Sequence, residues 1–214
     1  MVLLKTLCAN HQDGILIYPK NSVIKIQGLC LLLSGILQHY NMSNHKKCQT
    51  LSLIFNWTFF GSVVGSSDCK IQTKDFYKCV TDVRLLHFSL FELAEVVCSD
   101  SILHFDFFKI FNQRIKDIEF FIVITSHKNI GNRLSHFILL LACYFGIFSA
   151  EGIFLNIYIS QHDIASILST TRSTITRLIN QLRKDNIIRY YRKRLILLKP
   201  VKLGYYFSHF KRYI

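Results

Sequence analysis

The segment from Ser160 to Lys184 reads as two short amphipathic runs separated by a polar break, and this pattern restricts the fold more than any other stretch of the chain. Ser160 precedes Gln161-His162-Asp163, an S-x-x-D capping box that starts a helix by satisfying free N–H groups of its first turn. Ile164, Ala165, Ile167 and Leu168 then form one apolar face. The break Ser169-Thr170-Thr171 follows. A second helix is expected from about Arg172 to Lys184, with Ile175, Leu178, Ile179 and Leu182 inward. Ala165 is small enough to let two helices approach, and Ile164, Leu168, Ile175 and Leu178 lock their crossing. This is helix-turn-helix arithmetic. The turn position that often carries glycine holds Ser169, which predicts a left-handed backbone at a costlier residue.

The second helix turns Arg172, Ser173, Thr176 and Arg177 outward, a polar face with no acidic residue. Arginine forks to guanine O6 and N7, and the major groove admits one helix. Beyond it, Asn186–Tyr191 reads as a strand, Arg192-Lys193-Arg194 as a basic turn and Leu195–Leu198 as a second strand. Such a wing places cations against phosphates beside the groove. The candidate DNA-contacting set is therefore Thr171, Arg172, Ser173, Thr176 and Arg177 on the helix, with Arg192, Lys193 and Arg194 on the wing.

Charge supports that reading. The chain has a formal net charge of +13, and 12 of its 26 Lys and Arg residues fall within 161–214, beside only Asp163 and Asp185. That asymmetry points to a polyanionic partner. An anionic membrane surface would require one sustained apolar face opposite a basic one, whereas these cations are spread over a helix, a turn and a hairpin. Double-stranded DNA is the favoured partner.

Half of the 214 residues are hydrophobic, enough for a core. The longest apolar run, Phe137–Phe148, is too short for a membrane span. Residues 1–20 have few charges and no small-residue cleavage site after an apolar core, so no secretory signal is expected. No two of the seven cysteines lie within five residues, which excludes a C-x-x-C metal or redox pair. Buried thiols in a reducing compartment are the expectation, with no metal.

Residues 14–98 read mainly as short strands: 14–17, 23–26, 29–33, 35–39, 51–55 and 59–64, punctuated by Asn, Ser, Lys and Gly. They suggest an antiparallel sandwich or jelly roll, followed by a short helix over 88–97. A long helix is expected over 106–129, where Phe108, Phe111, Ile115, Ile118 and Ile122 recur at alternating spacings of three and four. That seam serves either a coiled coil or packing on its own domain. The apolar run from Ile118 to Thr125 suggests burial on more than one side. A second apolar helix is expected over 132–148. The chain reads as α+β, with a β domain over 1–105, a long helix over 106–131 and a winged helix-turn-helix over 132–214.

The residues Ile159-Ser160-Gln161-His162-Asp163-Ile164-Ala165, followed by Ser169-Thr170-Thr171-Arg172-Ser173-Thr174-Ile175-Thr176-Arg177-Leu178, resemble the DNA-binding motif of the CRP/FNR superfamily. Within it, they are most similar to the cyanobacterial nitrogen regulators. The likeness extends through Ser126–Leu134 upstream and Lys199-Pro200-Val201 downstream. It is strong over roughly 110–205 and weak over 14–100. It suggests a plastid-encoded relative, placed in the chloroplast stroma, or otherwise in the cytoplasm. The resemblance implies an N-terminal, effector-binding, cyclic-nucleotide-binding-like jelly roll over 1–105, a dimerisation helix over 106–131, and a homodimer that acts on a two-fold symmetric operator beside RNA polymerase. It implies that Arg172, Ser173 and Arg177 face bases.

For the effector, the resemblance points to Phe60, Gly61, Ser62 and Val63 with Arg114 and Glu119, and to 2-oxoglutarate, with no resident cofactor. Ser62 stands where cyclic-nucleotide pockets carry Glu, and no Arg-Ser or Arg-Thr pair follows by Val80, which disfavours cyclic AMP. Asp75 stands where the nitrogen-regulator pattern has arginine, so a decayed pocket is the rival. Arg114 and Glu119 pairing across a dimer helix is another. Cys8 has no neighbouring cysteines, which disfavours an iron–sulfur centre. The alternatives to a regulator are an interaction module that has lost DNA binding and a DNA-processing enzyme. The second requires clustered carboxylates for metal ions, and Asp100 with Asp106 is the nearest pair, more naturally placed at a helix start. No catalytic residue is assigned.

Overall fold

The computed structural model describes Leu3, Leu7, residues 14–26, 28–42, 48–62, 75–191 and 194–206. The chain divides into two compact units, residues 1–121 and 122–214.

The first unit contains two four-stranded antiparallel sheets. Its strands are β1 (Ile15–Tyr18), β2 (Val23–Ile24), β3 (Gly28–Ser34), β4 (Leu37–Met42), β5 (Cys48–Ile54), β6 (Thr58–Ser62), β7 (Asp75–Cys79) and β8 (Val83–Phe88). They are ordered β1-β8-β3-β6 and β2-β7-β4-β5. This is the expected jelly roll. Strand alternation explains how one near-continuous apolar run in β3 serves two cores. Leu29, Leu31 and Leu33 pack with Phe59, Leu86 and Phe88 in a cluster that includes Leu93 and Leu103 of the following helices. Cys30 and Leu32 point the other way and pack with Phe60 of their own sheet and with Leu37, Ile54, Tyr77 and Cys79 from the second. β3 is thus covered on both faces, which is why its sequence does not alternate with polar residues.

Helix α1 (Leu90–Cys98) begins at a full capping box. Ser89 Oγ accepts from the Glu92 N–H at 3.2 Å, and the Glu92 carboxylate accepts from the Ser89 N–H at 2.8 Å. Helix α2 (Ser101–Ser126) starts before the expected 106 and ends before 129. Asp100 caps it, its carboxylate accepting from the Ile102 N–H at 2.9 Å. Asp106 instead is buried and accepts from the Leu3 N–H. The two carboxylates therefore serve the helix start and the Leu3 N–H. The multi-sided burial expected near residue 120 is not found within one chain: Phe121 and Ile124 are buried, but Phe120, Ile122 and Val123 are exposed. Cysteine burial is also divided, with Cys30 and Cys79 buried and Cys98 and Cys143 exposed. Burial pushes the Cys30 thiol up to about 12, so it stays a neutral thiol.

In the second unit, α3 (Ile130–Phe145) is followed by β9 (Gly146–Ser149) and β10 (Gly152–Leu155), then α4 (Gln161–Ile167), α5 (Arg172–Lys184), β11 (Ile188–Tyr191), β12 (Arg194–Leu197) and α6 (Pro200–Tyr206). The apolar pattern predicts a helix as far as 148. Gly146 ends it, because its backbone is extended and its N–H still bonds back to the Ala142 carbonyl. A Cβ there would lie 2.2 Å from that carbonyl oxygen. The chain turns into a hairpin that joins the wing, in the sheet order β11-β12-β10-β9.

Both helices of the motif end alike. After α4, Ser169 has φ +53°, the Ser169 N–H donates to the Ser166 carbonyl and the Thr170 N–H to the Ala165 carbonyl. After α5, Asn186 has φ +50°, with Asn186 N–H to Arg183 O and Ile187 N–H to Leu182 O. Each is a Schellman stop with a non-glycine residue at the left-handed position. Ser169→Gly is expected to stabilise the second unit by about 0.5–1 kcal/mol in chemical denaturation, since the relieved strain exceeds the chain entropy that glycine adds. The motif is held by Ile167, Leu168, Ile175 and Leu182, all fully buried. Ile175→Ala is expected to cost about 2–5 kcal/mol in the same assay, as a cavity between two helices that cannot collapse freely.

Candidate nucleic-acid interface

Thr171 opens α5 as its N-cap, its Oγ1 accepting from the Thr174 N–H at 3.2 Å. The same oxygen lies 2.9 Å from Ser173 Oγ. Thr171 therefore shapes the first turn and orients Ser173. Arg172, Ser173 and Arg177 are exposed, and with Thr176 and Asn180 they line one open basin of about 640 Å³. No carboxylate lines it among the described residues. Ser173, Thr176, Arg177 and Asn180 follow the i, i+3, i+4, i+7 rule of one helix face. Sequence reasoning stopped at Arg177 and missed Asn180, although this spacing reaches it. An asparagine there has the donor and acceptor that match adenine N7 and N6.

Thr176 differs from the other members. Its hydroxyl is 2.6 Å from Gln161 Oε1 and 2.9 Å from the Arg172 carbonyl. It is half-buried and ties α5 to the first turn of α4. At that first turn, Ser160 Oγ accepts from the Asp163 N–H at 3.1 Å and donates to the Asp163 carboxylate at 2.6 Å. The expected box is thus present with the carboxylate turned onto the serine hydroxyl. Asp163 is buried, which keeps this acid off the exposed basic face.

The turn is fixed from behind by Arg133. Its Nε donates to the His127 carbonyl at 2.7 Å and its Nη1 to the Leu168 carbonyl at 3.3 Å. One guanidinium therefore binds the segment preceding α3 to the last carbonyl of α4. The His127 ring stacks on His136 with centroids 4.6 Å apart. Burial, then the charges of His136 and Arg133, hold His127 below its ordinary value, favouring a neutral ring.

On the wing, Arg192 and Lys193 lie outside the described residues. Arg194 is turned into its own sheet, with Nη1 donating to Asn156 Oδ1 at 2.6 Å and the guanidinium 5.7 Å from the Phe154 ring centroid. Arg189 pairs with Glu151, both exposed. These two cations brace the hairpins.

In the first unit, Phe60, Gly61 and Arg114 line a cavity of about 510 Å³ with His39, Ser52 and Tyr77. Arg114 reaches from α2 to β5, its Nη1 donating to the Leu53 carbonyl at 2.6 Å and its Nη2 to Ser52 Oγ at 2.8 Å. Gly61 has φ +112°, and a Cβ would fall 2.2 Å from the Gly28 carbonyl oxygen, so glycine permits the close approach of β6 to β3. Ser62 ends β6, its side chain outside the described part, and Val63 lies outside it entirely. Glu119 is exposed on α2 and does not line the cavity. The sequence set is thus brought together in Phe60, Gly61 and Arg114 but not in Glu119.

Residues 132–206 match the Crp-like helix-turn-helix domain. The chain is 37% identical over 97 residues to the "Global nitrogen regulator" of Synechococcus elongatus, covering 45% of this chain and 44% of that one. It is 36% identical over 89 residues to the "Putative HTH-type transcriptional regulator ycf28" of Porphyra purpurea, covering 42% and 38%. The chain thus spans about half the length, or less, of these curated relatives. Among solved structures, it superposes on a CooA mutant from Carboxydothermus hydrogenoformans with a TM-score of 0.69 at 22% identity, covering 91% of this chain and 87% of that one. It also superposes on a cyclic nucleotide-binding domain containing protein from Listeria monocytogenes, with a TM-score of 0.75 at 13% identity and coverage of 92% and 98%. These two likenesses are of fold.

Proposed function

We propose that this chain, whose residues 132–206 belong to the Crp-like helix-turn-helix domain family and whose fold is of the CRP/FNR type, is a sequence-specific DNA-binding transcription regulator. The observation that carries this reading is the exposed face of α5. Two guanidinium groups, a hydroxyl and an amide lie on one side of a helix of 13 residues, capped at both ends and anchored by four buried aliphatic side chains. A rigid helix of this kind fits the major groove, and its side chains supply the donors that base edges accept.

In this role the protein is a homodimer joined along α2 that grips two half-sites with α5, and RNA polymerase is the partner whose access to promoters it alters. The similarity to the nitrogen regulators supports a nitrogen-related role, with 2-oxoglutarate as effector in the cavity beside Arg114, whose cationic side chain suits a carboxylate. The similarity to the Porphyra purpurea protein supports a plastid location. Among the described residues, no helix is long and apolar enough to cross a membrane. The reading assigns no catalytic step to the chain.

Fluorescence anisotropy of a labelled promoter-pool duplex, competed with unlabelled random DNA at moderate ionic strength, tests DNA recognition. A complex that survives excess random DNA is expected; equal competition by every duplex would contradict it. Calorimetric titration with 2-oxoglutarate, with and without the bound duplex, tests the effector. Binding whose affinity changes when DNA is present is expected, because coupling between two sites is reciprocal. Heat indistinguishable from dilution in both titrations would remove 2-oxoglutarate.

A further inference from the structure

The polar surface of the second unit does not end at the basin along α5. A second cavity of about 640 Å³ adjoins it and shares Arg172 with it. Three elements and one approach segment converge there. Tyr158 precedes α4, Gln161 and His162 open α4, Arg183 lies in the last turn of α5, and Tyr190 stands on β11. The lining carries two guanidinium groups, one imidazole and two phenols, and no carboxylate among the described residues.

Two further observations show that these groups act on one another. The Tyr190 phenol is raised above its ordinary value mainly by burial, and also by Tyr158, while a hydrogen bond with Gln161 and the charge of Arg183 act in the opposite direction. Tyr190 is therefore a neutral O–H donor at physiological pH, held beside a cation. Gln161 meanwhile receives the Thr176 hydroxyl at 2.6 Å. One amide side chain thus joins the recognition helix to the first strand of the wing.

We infer that this cavity seats a phosphodiester of the DNA backbone flanking the groove that α5 occupies, with Arg183 as the counter-ion, the Tyr158 and Tyr190 hydroxyls as donors and Gln161 as the positioning residue. The inference rests on the DNA-binding reading and adds a contact to it. The chemistry is that of backbone contacts generally: arginine and tyrosine donors directed at phosphate oxygens fix register without reading sequence. It also gives the wing a phosphate contact at Tyr190, where Arg189 and Arg194 are occupied in bracing their own hairpins.

The probe is a duplex selected from a random pool by the wild-type protein, with affinity measured across a salt series. Arg183→Gln should make the slope of log affinity against log salt shallower by about 0.9 for each bound protomer. Its affinity should fall on selected and random DNA alike, so their ratio is kept. Arg183→Lys should restore the slope. Ethylation interference should lose one phosphate signal per half-site in the glutamine variant. Arg183 is exposed, so neither variant disturbs the core. Gln161→Leu should weaken binding while leaving the salt slope closer to wild type than Arg183→Gln does, as expected of a residue that positions rather than neutralises. A wild-type protein that prefers its selected duplex while Arg183→Gln keeps both slope and ethylation pattern would overturn the seat and leave the regulator reading intact. Failure of the wild type to bind any duplex would overturn both. Saturable binding of inorganic phosphate that Arg183→Gln abolishes, with unchanged DNA salt dependence, would assign the cavity to a free anion and overturn it as well.

Discussion

Arg177→Ala is expected to lower the preference for a selected duplex over random DNA by roughly tenfold to a hundredfold, because one bidentate base contact is worth about 1–3 kcal/mol of discrimination. The helix itself should survive, since Arg177 is exposed and faces away from Ile175, Leu178 and Ile179, which are buried. Alanine is also the best helix former, so local propensity does not fall. The loss should appear in the ratio of specific to random affinity. Arg183→Gln should do the reverse, lowering both affinities together and changing the salt dependence. Equal effects of the two substitutions on specificity would contradict the division between base-reading and backbone-holding cations.

The second large effect is expected on α2. Phe108, Phe111, Ile115 and Ile122 are 56%, 52%, 41% and 56% exposed, at spacings of three, four and seven. Four large apolar side chains aligned along one helix form a seam that water covers at a cost and a second copy would cover favourably. Ile115→Glu should therefore yield monomers in sedimentation experiments, because a carboxylate in a dry helix seam is costly to bury unpaired. Binding to a two-fold site should weaken by about 10²–10⁴, the advantage lost when two half-site contacts are no longer linked. Ile118 sits on the same spacing but lines the cavity of its own unit, so Ile118→Glu would disturb that cavity as well. Ile115 is the cleaner site. A variant that remains dimeric would remove the α2 seam from the interface.

The helix-turn-helix was legible because its information is local. Caps, an apolar face and a basic face all fall within 25 residues, and α5 runs over Arg172–Lys184 as the spacing predicts. Ser169 is left-handed for the reason the sequence indicates, since the chain must stop α4 there. No pattern marks strands β7 and β8, because Asp75–Cys79 alternates too weakly to stand out and Val83–Phe88 buries the adjacent pair Leu85 and Leu86 as well as Val83 and Phe88, which breaks strict alternation. The β9–β10 hairpin was hidden inside an apolar run that continues from α3, where periodicity cannot separate buried helix from buried strand. Helix α6 was missed although Pro200 at its first position is a start signal.

The site divides in the same way. Arg172, Ser173 and Arg177 are where helical spacing puts them. That Thr176 is turned toward Gln161, and Arg194 toward Asn156, are tertiary contacts between elements 15 and 38 residues apart. No local pattern encodes those partners. Arg114 is comparable, since its reach to Ser52 and Leu53 depends on how α2 lies against β5. Asn180 is the opposite case, a surface residue that spacing alone would have found.

The most direct measurement of the central claim is selection of duplexes from a random-sequence pool by the purified protein, followed by sequencing of the bound fraction. Insertion of α5 from each protomer of a dimer predicts enrichment of a two-fold symmetric site, with half-site centres about one helical turn apart, and loss of defined bases within each half-site for Arg177→Ala. A bound pool no different in sequence from the input, at an ionic strength where random binding is weak, would contradict it.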